Sequence, residues 1–561
     1  MIPRYFGQAC SFKRSVLSSL AKGSNKTSVS SSFLVPVPLS PLLPRASFST
    51  ATTTTTINMV AEAGMGASGN DTTTKMTQTT TTTTTDKNNK MTKPNMTGQH
   101  QQQEQQKKKK KLINLIRGWP SPHLLPADLL AKASARVLSD PGIFVPALQY
   151  APDPGYQPLR EELARWLRRA YFPSPDSPLS GGGSGGGKEA ENICITGGAS
   201  QSIACLLQSF TDPGYTRAVW AVAPCYFLAC PIFEDAGFKG RLRGVPEDEE
   251  GVDLGFLRRG LEGMRRDEDE APGLDRKIYR HVIYVVPTSA NPSGKTMSLR
   301  RREGLVKLAR EFDALVICDD VYDFLQWPPL LPRLSDIDLA LGRSPFDPPG
   351  KVFGHAVSNG SFSKLIGPGM RTGWTHSTPD FALGVSKTGS TRSGGAPSQL
   401  AAAMIHQMLA SGDLDRHLDN KVRPALQARH AAVVQAVKQE LGGGDLGVQV
   451  LEEGDLGKGM FGGYFLWLTL PEGGPDAATV AEWAKQEENL IVAEGAVFEV
   501  IGQEGGEAIR FPRNIRICYS WEEEEDVVEG VKRLERVLRR VRDKPADGRK
   551  GGESKGWLNF A

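Results

Sequence analysis

Five short apolar and β-branched runs set the tightest limit on how this chain folds: NICIT (192–196), AVWAVA (218–223), HVIYVV (281–286), ALVICD (314–319) and VFGHAV (352–357). They are apolar throughout rather than alternating with polar residues, the pattern of strands buried on both faces. Helix-patterned stretches separate several of them, notably SQSIACLLQSF (200–210) and RRREGLVKLAREF (300–312). Buried strands alternating with helices predict an α/β domain with a mostly parallel sheet flanked by helices. After Gly384 the rhythm changes. A helix-compatible stretch (396–440) leads to GGYFLWLTLP, IRICYSW and a charged helix over 522–542, which predicts a smaller α+β domain.

The boundaries follow from this reading: an N-terminal segment associated with the small domain (112–150), a large domain (151–395), a small domain (396–545) and a flexible tail (546–561). Composition accounts for the rest. Residues 1–60 hold no Asp or Glu but six basic residues and many serines, the signature of a mitochondrial transit peptide. Without import the protein would be cytoplasmic. Threonine runs and GQHQQQEQQKKKKK make 61–111 a low-complexity linker too polar to fold. The net charge of +4 gives no general argument for nucleic acid, and no apolar stretch is long enough to span a membrane. Seven cysteines without a C-x-x-C pair indicate a reducing compartment and no disulfide framework. Eight histidines show no ligand spacing, so no metal is expected. SPLSGGGSGGGKEA contains a G-x4-G-K spacing, but Glu189 stands where a phosphate loop needs Ser or Thr, so it reads as a surface loop.

In a parallel α/β sheet, ligands bind beyond the carboxyl ends of the strands. NICIT is followed by Gly197-Gly198-Ala199-Ser200, which opens a helix and can hold an anion on free N–H groups. AVWAVA ends in Pro224-Cys225-Tyr226, and HVIYVV runs into PTSANPSG with Asn291. ALVIC ends in Asp319-Asp320-Val321-Tyr322, and VFGHAV in SNGSFSKLIGPGMR, with Ser361, Lys364 and Arg371. Singly, each of these is an ordinary turn, cap or packing residue. Together they match one cofactor, pyridoxal 5′-phosphate. It needs a lysine to bond its aldehyde and move a proton, and a carboxylate for its ring nitrogen. It also needs donors for its ring oxygen, an aromatic face, and an arginine with a helix N-terminus for its phosphate.

With GWPSPHLLP, LQYAPDPGYQPLREELARWL, NPSGKTMSLRRR, CDDVYDFL, SFSKLIGPGMRTGW, GGYFLWLTLP and IRICYS in order over about 113–520, the chain resembles the fold-type I aminotransferases of class I/II. Within them it is most similar to the 2-aminoadipate and kynurenine-type branch. The resemblance implies Lys364 as the lysine that bonds the cofactor and acts as general base, with Asp319 on the pyridine nitrogen. It puts Asn291 and Tyr322 on the ring oxygen and Tyr226 on the ring face, and gives the phosphate to Gly198, Ala199, Ser200, Ser361 and Arg371. Tyr150 would reach the phosphate of a neighbouring subunit, which implies a homodimer. Arg516 would bind the substrate α-carboxylate and Gly118 would line the substrate pocket, with Arg510 and Arg513 as nearby rivals. Amino-acid and 2-oxo acid substrates follow, 2-oxoglutarate among the acceptors. The phosphate turn departs from the branch: GGASQS offers only a backbone N–H at Ala199. Insertions at 180–188 and around 335–350 are of surface-loop size.

Three rival readings are weighed against this one. Ser361-x-x-Lys364 and Lys387-Thr388-Gly389 echo serine β-lactamases, but no S-D-N lies between them and they stand too close together. A cofactor-binding sensor domain would carry an N-terminal helix-turn-helix, and residues 1–111 hold no amphipathic helix pair. A C–S β-lyase uses the same cofactor parts and stays open.

Overall fold

The computed structural model describes residues 110–172, 186–265, 277–327, 330–443, 446–451, 461–502 and 508–543. The expected presequence (1–60), the linker as far as residue 109, most of the Gly/Ser insertion and the tail (546–561) lie outside the described residues. The last two linker residues are built into the fold: the Lys110 ammonium meets Glu488 at 2.7 Å, and Lys111 pairs with Asp526.

Numbered along the chain, the first strands are β1 (Ile113–Asn114), β2 (Ile193–Thr196), β3 (Ala218–Ala223), β4 (Leu242–Asp248) and β5 (Gly251–Val252). Next come β6 (His281–Val285), β7 (Ala314–Asp319), β8 (Ala356–Ser361) and β9 (Gly373–His376). The last are β10 (Gln449–Val450), β11 (Phe465–Thr469), β12 (Leu490–Ile491), β13 (Ala493–Glu494) and β14 (Asn514–Cys518). Eight form one sheet in the order β2-β9-β8-β7-β6-β3-β4-β5. β8, β7, β6, β3 and β4 are parallel neighbours, whereas β9 runs antiparallel to both β2 and β8. Six strands therefore point the same way, as the mostly parallel sheet required.

β3, β6, β7 and β8 are buried at every position, which explains the mostly apolar character of the first three. Alternate residues feed two cores. Val219, Ala221, Val282, Tyr284, Leu315 and Ile317 pack with the helix Ala199–Phe210 through Ile203, Leu206, Leu207 and Phe210. Trp220, Val222, Ile283, Val285, Val316 and Cys318 pack with the helix Leu299–Glu311 through Leu305, Val306, Leu308 and Ala309. Both helices bury residues at three- and four-residue spacing, the stripe of a helix laid on a sheet.

A second, antiparallel sheet, β10-β11-β14-β13, carries the helices Ala477–Glu488 and Glu524–Asp543 on the C-terminal side of the chain. β1 pairs in parallel with β12, and Leu115 O accepts from Cys518 N at 2.8 Å, so the N-terminal segment is tied to this smaller α+β part.

Three expectations need correction. The strand drawn over 352–357 lies at Ala356–Ser361. Its polar residues are buried and find partners in the neighbouring turn and helix: Asn359 Nδ2 donates to Ala199 O, at the start of the helix Ala199–Phe210, at 3.1 Å, and Ser361 Oγ meets Ser363 Oγ at 3.0 Å. The insertion around 335–350 is not a surface loop. Residues Leu334–Ala340 form a helix whose Asp338 accepts from the His355 and Ala356 N–H groups and pairs with Arg310 at 2.7 Å, fastening the start of β8. The helical stretch 396–440 is broken after Ala410, where Gly412 turns the chain at φ +67°, and it resumes at Asp413.

Candidate active site

The carboxyl ends of β2, β3, β6, β7 and β8 meet at one edge of the sheet. β9 supplies what the parallel strands cannot. It runs back between β2 and β8 with Gly373 level with Thr196 and Ser361, so the residues just before it, Arg371 included, sit at that same edge. Gly198 has φ +100°, and a Cβ there would stand 2.6 Å from Arg371 Nη2, so only glycine allows this approach. Arg371, itself left-handed at φ +44°, donates to Gly197 O at 2.8 Å and Pro368 O at 2.9 Å. Ser361 Oγ lies 3.0 Å from Ser363 Oγ. With Ala199 and Ser200 in the first turn of their helix, these groups rim one end of a cavity of about 440 Å³. Free helix N–H groups, hydroxyls and a guanidinium together suit a dianion such as phosphate.

Lys364 closes a short turn after β8, and its Nζ reaches across to donate to Gly118 O at 2.7 Å. Burial brings its ammonium down from 10.5 to about 8, with Cys518 and Asp319 pulling upward and Arg516 downward. Asp319, the last residue of β7, is buried, and burial raises its carboxyl to about 6 against the lowering effect of Tyr284 and Lys364. Its Oδ2 accepts from the Tyr284 hydroxyl at 2.7 Å, while Oδ1 has no hydrogen-bond partner. Tyr226 is half-buried beside it, its phenol pushed up to about 12 by burial and the Asp319 charge. Burial also pushes Tyr322 well up.

Arg516, from β14, enters from the other sheet. Nη1 donates to Asn291 Oδ1 at 2.8 Å and Nη2 to Ile116 O at 2.5 Å, while Nε has no partner. Its guanidinium lies 4.2 Å and 4.8 Å from the Phe465 and Phe498 ring centres, and burial lowers it to about 10. A Cβ on Gly118 would come within 2.7 Å of Phe465 Cζ. The rival arginines point elsewhere: Arg510 pairs with Glu499, and Arg513 leans toward Glu472 and Leu470 O.

The cavity thus gathers Gly118, Ala199, Ser200, Tyr226, Asn291, Asp319, Tyr322, Ser361, Lys364, Arg371 and Arg516, with Gly198 behind Arg371. Tyr150 is not among its lining residues and is 78% exposed. Thr388, from the β-lactamase-like K-T-G, bonds to Ser209 and does not line it. Sequence reasoning missed Tyr284, Ser363, Trp119, Phe227 and Ile232. A tyrosine inside the apolar run HVIYVV was the one available signal for Tyr284.

Pyridoxal phosphate fits this set of groups. The free Asp319 Oδ1 can accept from a pyridinium N–H, the Gly198–Arg371 cradle suits the phosphate, and Lys364 is a half-buried amine with a lowered pKa.

Comparison with known proteins agrees. The model of the family aminotransferase class I and II matches residues 122–534. An uncharacterized Saccharomyces cerevisiae protein is 34% identical over 421 residues, 70% of this chain and 89% of the relative. Aromatic-amino-acid aminotransferase 1 of Thermococcus litoralis is 26% identical over 76% of this chain and 88% of its own length. The solved α-aminoadipate aminotransferase of Thermus thermophilus, complexed with a phosphopyridoxyl-leucine, is 26% identical with a TM-score of 0.58, covering 76% of this chain and 92% of that one. The chain belongs to the aminotransferase class I and II family and is a pyridoxal-phosphate-dependent aminotransferase.

Proposed function

We propose that this enzyme takes its amino group from an L-amino acid with a bulky apolar side chain, aromatic before others, and passes it to a 2-oxo acid in a ping-pong cycle. The lining of the cavity beyond the cofactor parts carries this reading. It is formed by Ile116, Trp119, Phe227, Leu228 and Ile232, and Lys364, Arg371 and Arg516 are its only cations among the described residues. With Arg371 at the phosphate end and Arg516 at the substrate carboxylate, a distal carboxylate such as that of 2-aminoadipate would be buried without a partner, which is costly.

When bound, pyridoxal phosphate supplies an aldehyde and a ring that takes up the electron pair left as the donor Cα loses its proton. In this reading Asp319 keeps the ring nitrogen protonated, and Tyr322 and Asn291 donate to the ring oxygen. Tyr226 covers the ring face. Arg516 holds the α-carboxylate, offering its unpartnered Nε, while Lys364 Nζ takes the Cα proton. The carbonyls of Ile116 and Gly118, which accept from Arg516 and Lys364, tie the N-terminal segment to both cations.

The test is the visible spectrum of the holoenzyme during titration with L-phenylalanine and L-2-aminoadipate, without and then with oxo acid. We expect kcat/KM to favour phenylalanine by about tenfold or more. Equal values would remove the donor class and leave amino transfer standing. A C–S lyase would instead act on an amino acid with sulfur on Cβ, such as an S-alkylcysteine, releasing thiol, ammonia and pyruvate without any added oxo acid.

The biological unit in this reading is a homodimer in which Tyr150 meets the phosphate of the partner's cofactor. The exposure of Tyr150 together with Val145 and Leu148 supports it. Sedimentation should give a dimer and Tyr150→Phe should release cofactor faster; a monomer with unchanged retention would refute the shared site. Residues 1–60 are read as a mitochondrial presequence, and recovery of the organelle's protein with Met1 intact would contradict that.

A further inference from the structure

Tyr284 is the fourth residue of β6, and its hydroxyl donates to Asp319 Oδ2 at 2.7 Å. Strand register explains the reach. β6 and β7 are parallel with Tyr284 level with Ile317, so a side chain as long as tyrosine extends along the shared face to the residue two further on. The ring is held edge-on by Phe233, 5.5 Å away. Both partners of the bond are shut from solvent, Tyr284 at 1% and Asp319 at 6% exposure. With Oδ2 engaged, Oδ1 is the oxygen left without a partner in a carboxylate that lines the cavity.

We propose that Tyr284 is a positioning residue for amino transfer: it fixes the rotation of the Asp319 carboxylate so that Oδ1 meets the cofactor ring nitrogen, and it keeps that carboxylate ionised in a buried site. The inference rests on the reading of Asp319 as the ring-nitrogen partner.

The charge balance around Asp319 supports it. Burial is the largest influence and raises the carboxyl to about 6; the Tyr284 bond opposes it first, then the Lys364 charge, while Asp323 adds to the rise. Cys225, Tyr226, Tyr284 and Tyr322 also feel the Asp319 charge, and burial drives all three phenols upward. Tyr284 is thus the one neighbouring hydroxyl shown giving a hydrogen bond to this carboxylate among the described residues. The ring N–H pairs with the ionised form, so cofactor affinity is full above the Asp319 pKa and falls as pH drops through about 6. Without the hydroxyl, that fall moves to higher pH.

The experiment measures the Kd of pyridoxamine 5′-phosphate for the apoenzyme by equilibrium dialysis across about pH 5 to 8, for wild type, Tyr284→Phe, Tyr284→Gln and Asp319→Asn. This ligand is an amine, so Lys364 cannot bond it and only non-covalent contacts are read. Tyr284→Phe keeps the ring that Phe233 packs against, and its binding at the alkaline end checks the fold. We expect its midpoint to rise by about one pH unit, a loss of affinity of about fivefold at pH 6 that approaches tenfold toward pH 5. Tyr284→Gln, which carries a donor, should fall between Tyr284→Phe and wild type. Asp319→Asn should be weak and show only the ligand phosphate, which titrates near about pH 6. An unmoved midpoint in Tyr284→Phe, or a Tyr284→Gln midpoint at or above it, overturns the proposal. A wild-type profile in Asp319→Asn would overturn the Asp319 reading instead.

Discussion

Replacing Lys364 with alanine is expected to lower amino transfer by about 10⁴-fold or more, because one group would be lost as both covalent partner and proton carrier. The rest of the cradle would persist. Gly198, Ser361 and Arg371 would still surround the proposed phosphate position, and Asp319 would still line the cavity with Oδ1 unpartnered. The variant should therefore retain pyridoxal phosphate without catalysis, and single-turnover transfer from L-phenylalanine is the measurement. Transfer within about tenfold of wild type would move the proton carrier to another residue. The lowered pKa of this lysine has its own consequence. Attack on the aldehyde needs the neutral amine, so capture of cofactor by the apoenzyme should quicken as pH rises toward about 8 and level off above it. A rate still climbing beyond pH 10 would mean the amine is not desolvated in solution.

Arg516→Lys should lower kcat/KM for amino donors by about 10²-fold or more while leaving cofactor affinity near wild type. The guanidinium meets several demands at once: Nη1 serves Asn291, Nη2 serves Ile116 O, its faces meet Phe465 and Phe498, and Nε remains for a ligand. An ammonium is a compact charge without that plane or fork, so it would leave the Asn291 or the Ile116 oxygen unpaired inside the protein. Arg510→Lys and Arg513→Lys, whose partners are Glu499 and Glu472, should stay within about twofold. Full activity in Arg516→Lys beside a damaged Arg513→Lys would move carboxylate binding to Arg513.

What could be read from the sequence follows from how each feature is made. Strands buried on both faces announce themselves by being apolar throughout, so AVWAVA and ALVICD fall on β3 and β7 residue for residue. β8 carries Ser358, Asn359 and Ser361 inside the sheet, where a rule seeking apolar runs finds nothing, and the boundary drifted to the residues before it. β9 is four residues long with its place set by partners on both sides, so no local pattern marks it. Site residues at strand ends were legible because parallel strands deliver their carboxyl ends to one edge. Tyr284 was not, because its role depends on register between two strands rather than on its own surroundings.

Among the described residues β2 has β9 as its only neighbour in the sheet, so this strand has no sheet partner until the chain has been made as far as His376. The anion cradle spans the same seam: its halves, Gly197–Ser200 and Ser361–Arg371, are brought together through the pairing of β9 with both β2 and β8. Closing contacts so distant along the chain is slow and entropically expensive. A ligand that recognises only the paired edge adds its binding energy to that pairing, about 2.7 kcal/mol at a hundred times its Kd. With these groups read as the phosphate cradle, the coenzyme would be a clasp on this seam, and a newly made chain short of vitamin B6 would hold it less securely.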